Sequence, residues 1–364
     1  MVHSTGLATE IPHDHATRST AMPLSKRLLA PACSILLTLG LVELELRWIN
    51  YKPRIMDAGM YVANEDPLLP YRLQPNYSGI CAGSEVRTDA QGNRLIVPSF
   101  KELRPGQKPE RVVLLLGDSG VFGFGLKDSD TIASQLQNFC MARDLNYEVR
   151  NVGVSGYTSW NEYKALVEFL KSNSATEVVV LYMPNDPTFD NDYFGFRRGQ
   201  RPSFWRNESR LHDLSYWFYS HIYVSYFVSD GLKRVAARFN SGIEKPTGKI
   251  SFDEKVMQPA LDYSMQALEK MAEICRERQI ALLVGIYRDV VFLDDPTGWL
   301  EYENAIKRSL EHRGIRWFVA KSHTDKLQPG DIRVAWNDPH PSREATSLIA
   351  EDILAAVQME PRRP

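Results

Sequence analysis

VVLLLGDSGVFGFG, residues Val112 to Gly125, is the stretch that decides the fold of this chain. Val112 to Leu116 is an unbroken apolar run, which is the pattern of a strand buried on both faces of a parallel sheet. It runs straight into Gly117-Asp118-Ser119. In an open α/β sheet the crevice that receives a ligand lies just beyond the carboxyl ends of the strands. A serine on the turn at that position presents its hydroxyl to the crevice, and the backbone N–H groups of the turn can hold negative charge. Gly117, Gly120, Gly123 and Gly125 let the backbone turn tightly and let a substrate approach it closely. Taken alone, Gly-Asp-Ser also fits a plain helix N-cap. The glycines do not make a phosphate loop, because neither Gly-Lys-Ser/Thr nor an in-register G-x-G-x-x-G is present.

Outward from this stretch, strand patterns alternate with helix patterns. RVVLLLG (Arg111–Gly117), YEVRNVGV (Tyr147–Val154), EVVVLYM (Glu177–Met183), IALLVGIY (Ile280–Tyr287) and IRWFVA (Ile315–Ala320) read as strands. Thr131–Asp144, Trp160–Lys171, Gln258–Gln279, Gly298–Arg313 and Arg343–Val357 read as helices; in the third, Leu261, Met265, Leu268, Met271 and Ile274 recur at helical spacing. Such alternation predicts a three-layer α/β/α sandwich with a central, mostly parallel sheet over residues 109–358. An aromatic-rich segment at 189–254 interrupts it, with HDLSYWFYSHIYVSYFV expected to be helical and to pack as a cap or a wall over the site. Residues 49–108 are rich in turn formers and read as a β-rich lead-in, with a hairpin centred on Ala90-Gln91-Gly92-Asn93.

Three further strand or loop ends carry chemistry. The second strand leads into Ser155-Gly156, the third into Asn185-Asp186, and WNDPHPS places His340 in a proline-flanked loop before the last helix. A serine first and a histidine last, with a glycine and an asparagine between them, are the parts of an acyl-transfer site. The histidine takes the serine proton. Backbone amides and an asparagine side chain hold the oxyanion.

On these blocks the chain resembles the SGNH or GDSL-type hydrolases, over about Arg111 to Val357 without the insertion. The resemblance implies Ser119 as nucleophile, with Gly123 as the later glycine of that block. It implies an oxyanion hole of Ser119, Gly156 and Asn185, and His340 as general base. The departures are Gly120 where leucine is common, Pro184 where glycine is usual, and Asn337 rather than aspartate three residues before His340. Asp338 lies two before it, so either Asp338 reaches the imidazole by a shifted turn or Asn337 orients it. The implied activity is hydrolysis of a carboxylic ester, of O-acetyl or other short acyl type, on a small-molecule or glycan substrate and without a cofactor. Transfer of the acyl group to a polysaccharide, and a non-catalytic carbohydrate-binding or assembly role, are the competing readings.

Composition narrows the remaining classes. The formal net charge is −2 with no concentrated basic face, which argues against a nucleic-acid partner. Cys33, Cys81, Cys140 and Cys275 form no CxxC and no zinc-spaced cluster with histidine. Residues 1–25 read as a polar, disordered tail. Lys26-Arg27 and the apolar run Leu28–Val42 that follows suggest a signal anchor over 26–48, placing the catalytic domain outside the cytoplasmic membrane. A cleaved signal peptide and a buried or interfacial amphipathic helix are the other readings of that run. It is shorter than the roughly 20 residues a spanning helix needs.

Overall fold

The three central strands of the main sheet, Arg111–Leu116, Glu177–Tyr182 and Ala281–Tyr287, are largely apolar runs buried toward both faces, whereas the edge strand Tyr147–Asn151 alternates, and this governs the architecture. The computed structural model describes residues 24–187, 210–239 and 254–359. The chain passes through α1 (Leu24–Trp48), the strand pairs β1 (Tyr61–Ala63) with β2 (Tyr71–Leu73) and β3 (Ser78–Cys81) with β4 (Ser84–Arg87), and a short α2 (Phe100–Leu103). It then alternates through β5 (Arg111–Leu116), α3 (Ser119–Phe122), α4 (Ile132–Ala142), β6 (Tyr147–Asn151), α5 (Ser159–Phe169) and β7 (Glu177–Tyr182). The aromatic-rich helices α6 (Arg210–His221) and α7 (Tyr223–Phe239) follow, then α8 (Glu254–Glu277), β8 (Ala281–Tyr287), α9 (Pro296–His312) and β9 (Trp317–Ala320). Short helices α10 (Ser322–Lys326) and α11 (Pro329–Ile332), the hairpin β10 (Arg333–Ala335) with β11 (Asp338–Pro341), and α12 (Arg343–Gln358) complete it.

The five main strands form one parallel sheet in the order β6-β5-β7-β8-β9. Alternate residues of each strand serve opposite layers. Leu114, Leu116, Val178, Val180 and Val284 pack with α5, α8 and α9, while Val113, Leu115, Val179, Leu181 and Leu283 pack with α4 and α12. Removing such a side chain from water is worth about 1.5–3 kcal/mol, so both faces of the sheet demand cover and helices pack on each. The chain leaves β5 toward β6 on one side and later toward β7 on the other. The strand order therefore reverses at the carboxyl end of β5, where an open sheet forms its crevice.

The remaining expectations need adjustment in four places. The lead-in holds an additional hairpin, β3–β4, which turns at Ala82-Gly83, both with positive φ (47° and 71°). The expected turn at 90–93 is present as a tight one: the Asp89 N–H donates to the Asn93 carbonyl and the Leu95 N–H to the Arg87 carbonyl, Asp89 Oδ1 accepts from the backbone N–H of Gln91 and Asn93, and Thr88 bridges Arg94, which in turn bridges Asn151 at the end of β6. The helix expected to begin at Gln258 begins at Glu254 and runs through Pro259. Of the interrupting segment, 210–239 is two helices, whereas 188–209 and 240–253 lie outside the described residues, as do residues 1–23 of the tail.

The fourth adjustment concerns the N-terminus. The chain divides into two units, Met1–Glu45 and Leu46–Pro364. The apolar run is helical, as part of the 25-residue α1 with Pro31 inside it. No helix among the described residues is long and apolar enough to cross a membrane. Lys26 and Arg27 in its first turn, and Glu43, Glu45 and Arg47 near its end, confine the apolar stretch to a length below what a bilayer requires. The expected single-pass anchor, with a catalytic domain outside the cytoplasmic membrane, is overturned by this.

Candidate active site

The turn after β5 is shaped by three contacts. Asp118 caps α3, its Oδ1 accepting from the Gly120 N–H at 2.8 Å, which sets Ser119 as the first residue of the helix. Gly123 ends that helix in the left-handed region at φ 82°, and a Cβ there would sit 2.7 Å from Thr131 Cγ2, so glycine is required on both counts. Arg94, from the lead-in and fully buried, braces the loop from behind. It donates to the carbonyls of Phe122 (2.9 Å), Gly123 (2.7 Å) and Leu126 (2.6 Å) and pairs with Asp128 at 3.2 Å. At Gly120 a Cβ would meet the flexible end of Met183, its Cε 2.0 Å away, which can swing aside, so packing there does not by itself demand glycine.

His340 reaches this turn on the hairpin β10–β11, a feature the sequence suggested only as a loop. Its Nε2 lies 2.9 Å from Ser119 Oγ, and its Nδ1 lies 2.5 Å from Asp338 Oδ1. The same Oδ1 accepts the His340 backbone N–H at 3.1 Å. This network assigns the proton of the neutral ring to Nδ1 and leaves Nε2 to accept from the serine hydroxyl. Phe124 packs against the imidazole with ring centres 4.6 Å apart. Asn337 points elsewhere. Its amide bonds reciprocally with the backbone of Lys52, at 3.1 and 2.8 Å. Of the two residues proposed to orient the imidazole, Asp338 is therefore the one that touches it.

The other two blocks lie at the ends of the strands flanking β5. Gly156 follows β6 with φ 83°, in a loop held by Tyr71, whose hydroxyl donates to the Ser155 carbonyl at 2.8 Å, and by Tyr157, whose hydroxyl donates to the Tyr71 carbonyl at 2.7 Å. Asn185 follows β7, and its Nδ2 donates to the Tyr157 carbonyl at 3.1 Å, which ties the second block to the third. Asp186, buried beside it, accepts from the Met183 N–H at 2.5 Å and the Ser159 hydroxyl at 3.0 Å, closing the Met183–Asp186 turn.

The carboxyl groups around the site are shifted in opposite directions. Burial would raise the Asp338 carboxyl, but the His340 hydrogen bond and charge, with Arg54, hold it below the usual carboxylate value. Asp118 goes the other way, raised by burial against the opposing pull of the Gly120 N–H and His340. Burial also pushes Asp186 and Glu162 well up, Glu162 further through the nearby charges of Asp186 and Asp118. Neither oxygen of Glu162 has a hydrogen-bond partner among the described residues, which fits a neutral carboxyl. Of the four, only Asp338 is held below the usual carboxylate value.

The structure thus brings Ser119, His340 and Asp338 together in one hydrogen-bonded line, and sets Gly156 and Asn185 on the adjoining strand ends. Arg94 and Arg54 were missed by sequence reading, because an arginine in a turn-rich segment carries no periodic signal. His323 is a packing histidine. It is buried and stacked on Tyr287, its Nε2 lies 2.8 Å from the Arg288 carbonyl, and burial lowers it to about 4. Asp295 caps α9 through the Gly298 N–H at 3.1 Å. Among the described residues no group of three or more His, Cys, Asp or Glu side chains could hold a metal ion.

No family model matches the chain, and no curated protein is similar to it. Solved structures of similar fold include TesA, with 14% identity, 68% of this chain and 98% of that one covered, and a TM-score of 0.42. The psychrotrophic esterase EstA from Pseudoalteromonas sp. has 13% identity, 68% and 97% coverage and a TM-score of 0.40. Axe2, an acetylxylan esterase from Geobacillus stearothermophilus, has 14% identity, 69% and 96% coverage and a TM-score of 0.38. By its own strand order, and by the residues at the carboxyl edge of its sheet, the chain resembles the SGNH or GDSL-type hydrolases.

Proposed function

We propose that the protein is a serine esterase that hydrolyses carboxylic esters of short acyl groups. The observation that carries this reading is the line from Ser119 Oγ to His340 Nε2 (2.9 Å) and from His340 Nδ1 to Asp338 Oδ1 (2.5 Å). As the ester carbonyl binds at the end of β5, Ser119 Oγ attacks the acyl carbon and passes its proton to His340 Nε2. The Asp338 carboxylate stabilises the imidazolium so formed. The tetrahedral oxyanion is held by the backbone N–H groups of Ser119 and Gly156 and by the Asn185 amide. His340 returns the proton to the departing alcohol, leaving an acyl-serine. Water then attacks that ester, gives its proton to His340, and the carboxylic acid leaves as Ser119 is restored. Every proton in the cycle moves between protein groups, substrate and water.

An organophosphonate is expected to label Ser119, and Ser119→Ala to abolish the labelling along with turnover of p-nitrophenyl acetate. His340→Ala should lower kcat by about six orders of magnitude. Labelling that persists in the alanine variant at position 119 overturns the reading. Product analysis with a glycan acceptor present distinguishes hydrolysis, which yields the free acid, from transfer to the acceptor.

A further inference from the structure

The hairpin that carries His340 is clamped by a segment far from it in sequence. Asn50 Nδ2 donates to the Val334 carbonyl at 2.9 Å. Lys52 exchanges two hydrogen bonds with Asn337. Tyr51 packs on Trp336 with ring centres 5.8 Å apart. The segment is itself held by α7, where Tyr226 donates to the Arg54 carbonyl at 3.3 Å and Phe227 meets Tyr51 edge-on at 5.8 Å. At the end of the clamp, Arg54 Nε stands 3.6 Å from Asp338 Oδ2.

That last contact meets a specific need. Asp338 is 0% exposed, and its Oδ2 has no hydrogen-bond partner among the described residues. Oδ1 is fully used by His340. A buried carboxylate left without compensation is costly and tends to take up a proton. A protonated Asp338 could not stabilise an imidazolium. Arg54 supplies the counter-charge, while its side chain, 41% exposed, stays in contact with solvent.

We propose that Arg54 is a positioning residue for the base: its guanidinium is the counter-charge that keeps the Asp338 carboxylate turned onto His340. The lead-in and the aromatic helix α7 are then parts of the catalytic apparatus and not merely a cover. This deepens the esterase reading and rests on it. The other charged or titratable groups facing the pair are Lys52 on the same segment, Asp118 at the β5–α3 turn, Asp289 after β8 with Arg333 beside it, and Cys81 on β3. Lys52 also feels the Asp338 charge, but its Nζ is engaged by the Ser84 hydroxyl at 3.2 Å, and among the described residues Arg54 is the cation that makes an ion-pair contact with Oδ2.

The pH dependence and the split between kcat and KM separate this role from simple packing. Arg54 is one of the groups that hold the Asp338 carboxyl below the usual carboxylate value, so without it that carboxyl takes up a proton more readily. In Arg54→Met, and in Arg54→Gln as a second neutral variant, the Asp338 carboxyl followed by carbon NMR in the full chain should titrate at higher pH than in the wild type. The acid limb of kcat/KM for p-nitrophenyl acetate should move to higher pH with it, and kcat should fall about tenfold with little change in KM. Arg54→Lys should restore both. Asn337→Ala breaks the clamp and leaves the charges alone, so it should lower the melting temperature without moving the carboxyl titration. An Asp338 titration unchanged in both neutral variants overturns the proposal. If the wild type neither hydrolyses the ester nor reacts with the phosphonate, the esterase reading fails instead, while the NMR titration still decides what Arg54 does to Asp338.

Discussion

A carboxylate two residues before a histidine can reach its Nδ1 only if the chain folds back between them. Asp338 manages this by accepting both the backbone N–H and the ring Nδ1 of His340 on one oxygen, with Pro339 between them stiffening the turn. The position three before the histidine is thereby released, and Asn337 is used to fasten Lys52. Asp338→Asn is therefore expected to lower kcat by about four orders of magnitude with little effect on KM, since the amide neither fixes the tautomer nor stabilises an imidazolium. Asn337→Ala should leave kcat of the folded protein near wild type. Comparable losses in the two variants would remove Asp338 from its special place.

The nucleophile turn depends on an element outside the sheet domain. β5 delivers Ser119 to the edge, but the carbonyls of Phe122, Gly123 and Leu126 all converge on the buried guanidinium of Arg94, which also lies over the Phe122 ring at 4.7 Å. Arg94→Met fills the volume but takes the arginine donor from the carbonyls of Phe122 and Leu126, while the Gly123 carbonyl keeps the Leu126 N–H and Asp128 keeps Arg87. The expected cost is about 3 kcal/mol or more, read by urea unfolding. In the fraction that remains folded, phosphonate labelling of Ser119 should slow, because the loop can no longer hold the serine at the helix start. Unchanged labelling kinetics together with unchanged stability would show that the glycines and Asp118 alone shape the turn. The interior strand pattern explains why the brace comes from the lead-in. α4 and α12 already fill one face of β5, and α5, α8 and α9 line the other, so only the carboxyl edge is open to a polar arm.

At the scale of the molecule, stability comes from two apolar layers and not from cross-links. All four cysteines are free. Cys81, Cys140 and Cys275 are buried, and burial raises each thiol to about 12, which keeps them as unreactive core side chains. Cys33 alone is exposed. A thiol reagent should therefore titrate one group quickly in the native protein and four after unfolding, and a reductant should leave the melting temperature unchanged. Rapid reaction of a second thiol in the native state would contradict the packing described for β3, α4 or α8.

The sequence alone determined the sheet strands and their burial, because an apolar run between turn formers is a local signal that tertiary contacts then reinforce. It also determined that Ser119, Gly156 and Asn185 stand at strand ends, since chain direction and strand boundaries are local too. It placed the turn at 90–93 but missed the β3–β4 hairpin, whose Ala82-Gly83 turn, with both residues at positive φ, lacks the Asn-Gly or Asp-Gly signal. Its reading of 26–48 as a membrane anchor does not hold either, for the charges at the two ends of α1 shorten the apolar stretch. Only the tertiary structure decided between Asp338 and Asn337 as the partner in contact with His340, and only it revealed Arg54 and Arg94. Those contacts join residues such as Asn50 and Val334, 284 positions apart. Which polar groups meet across such distances depends on how the crossovers return the chain to one edge of the sheet, and no periodicity in the sequence records that.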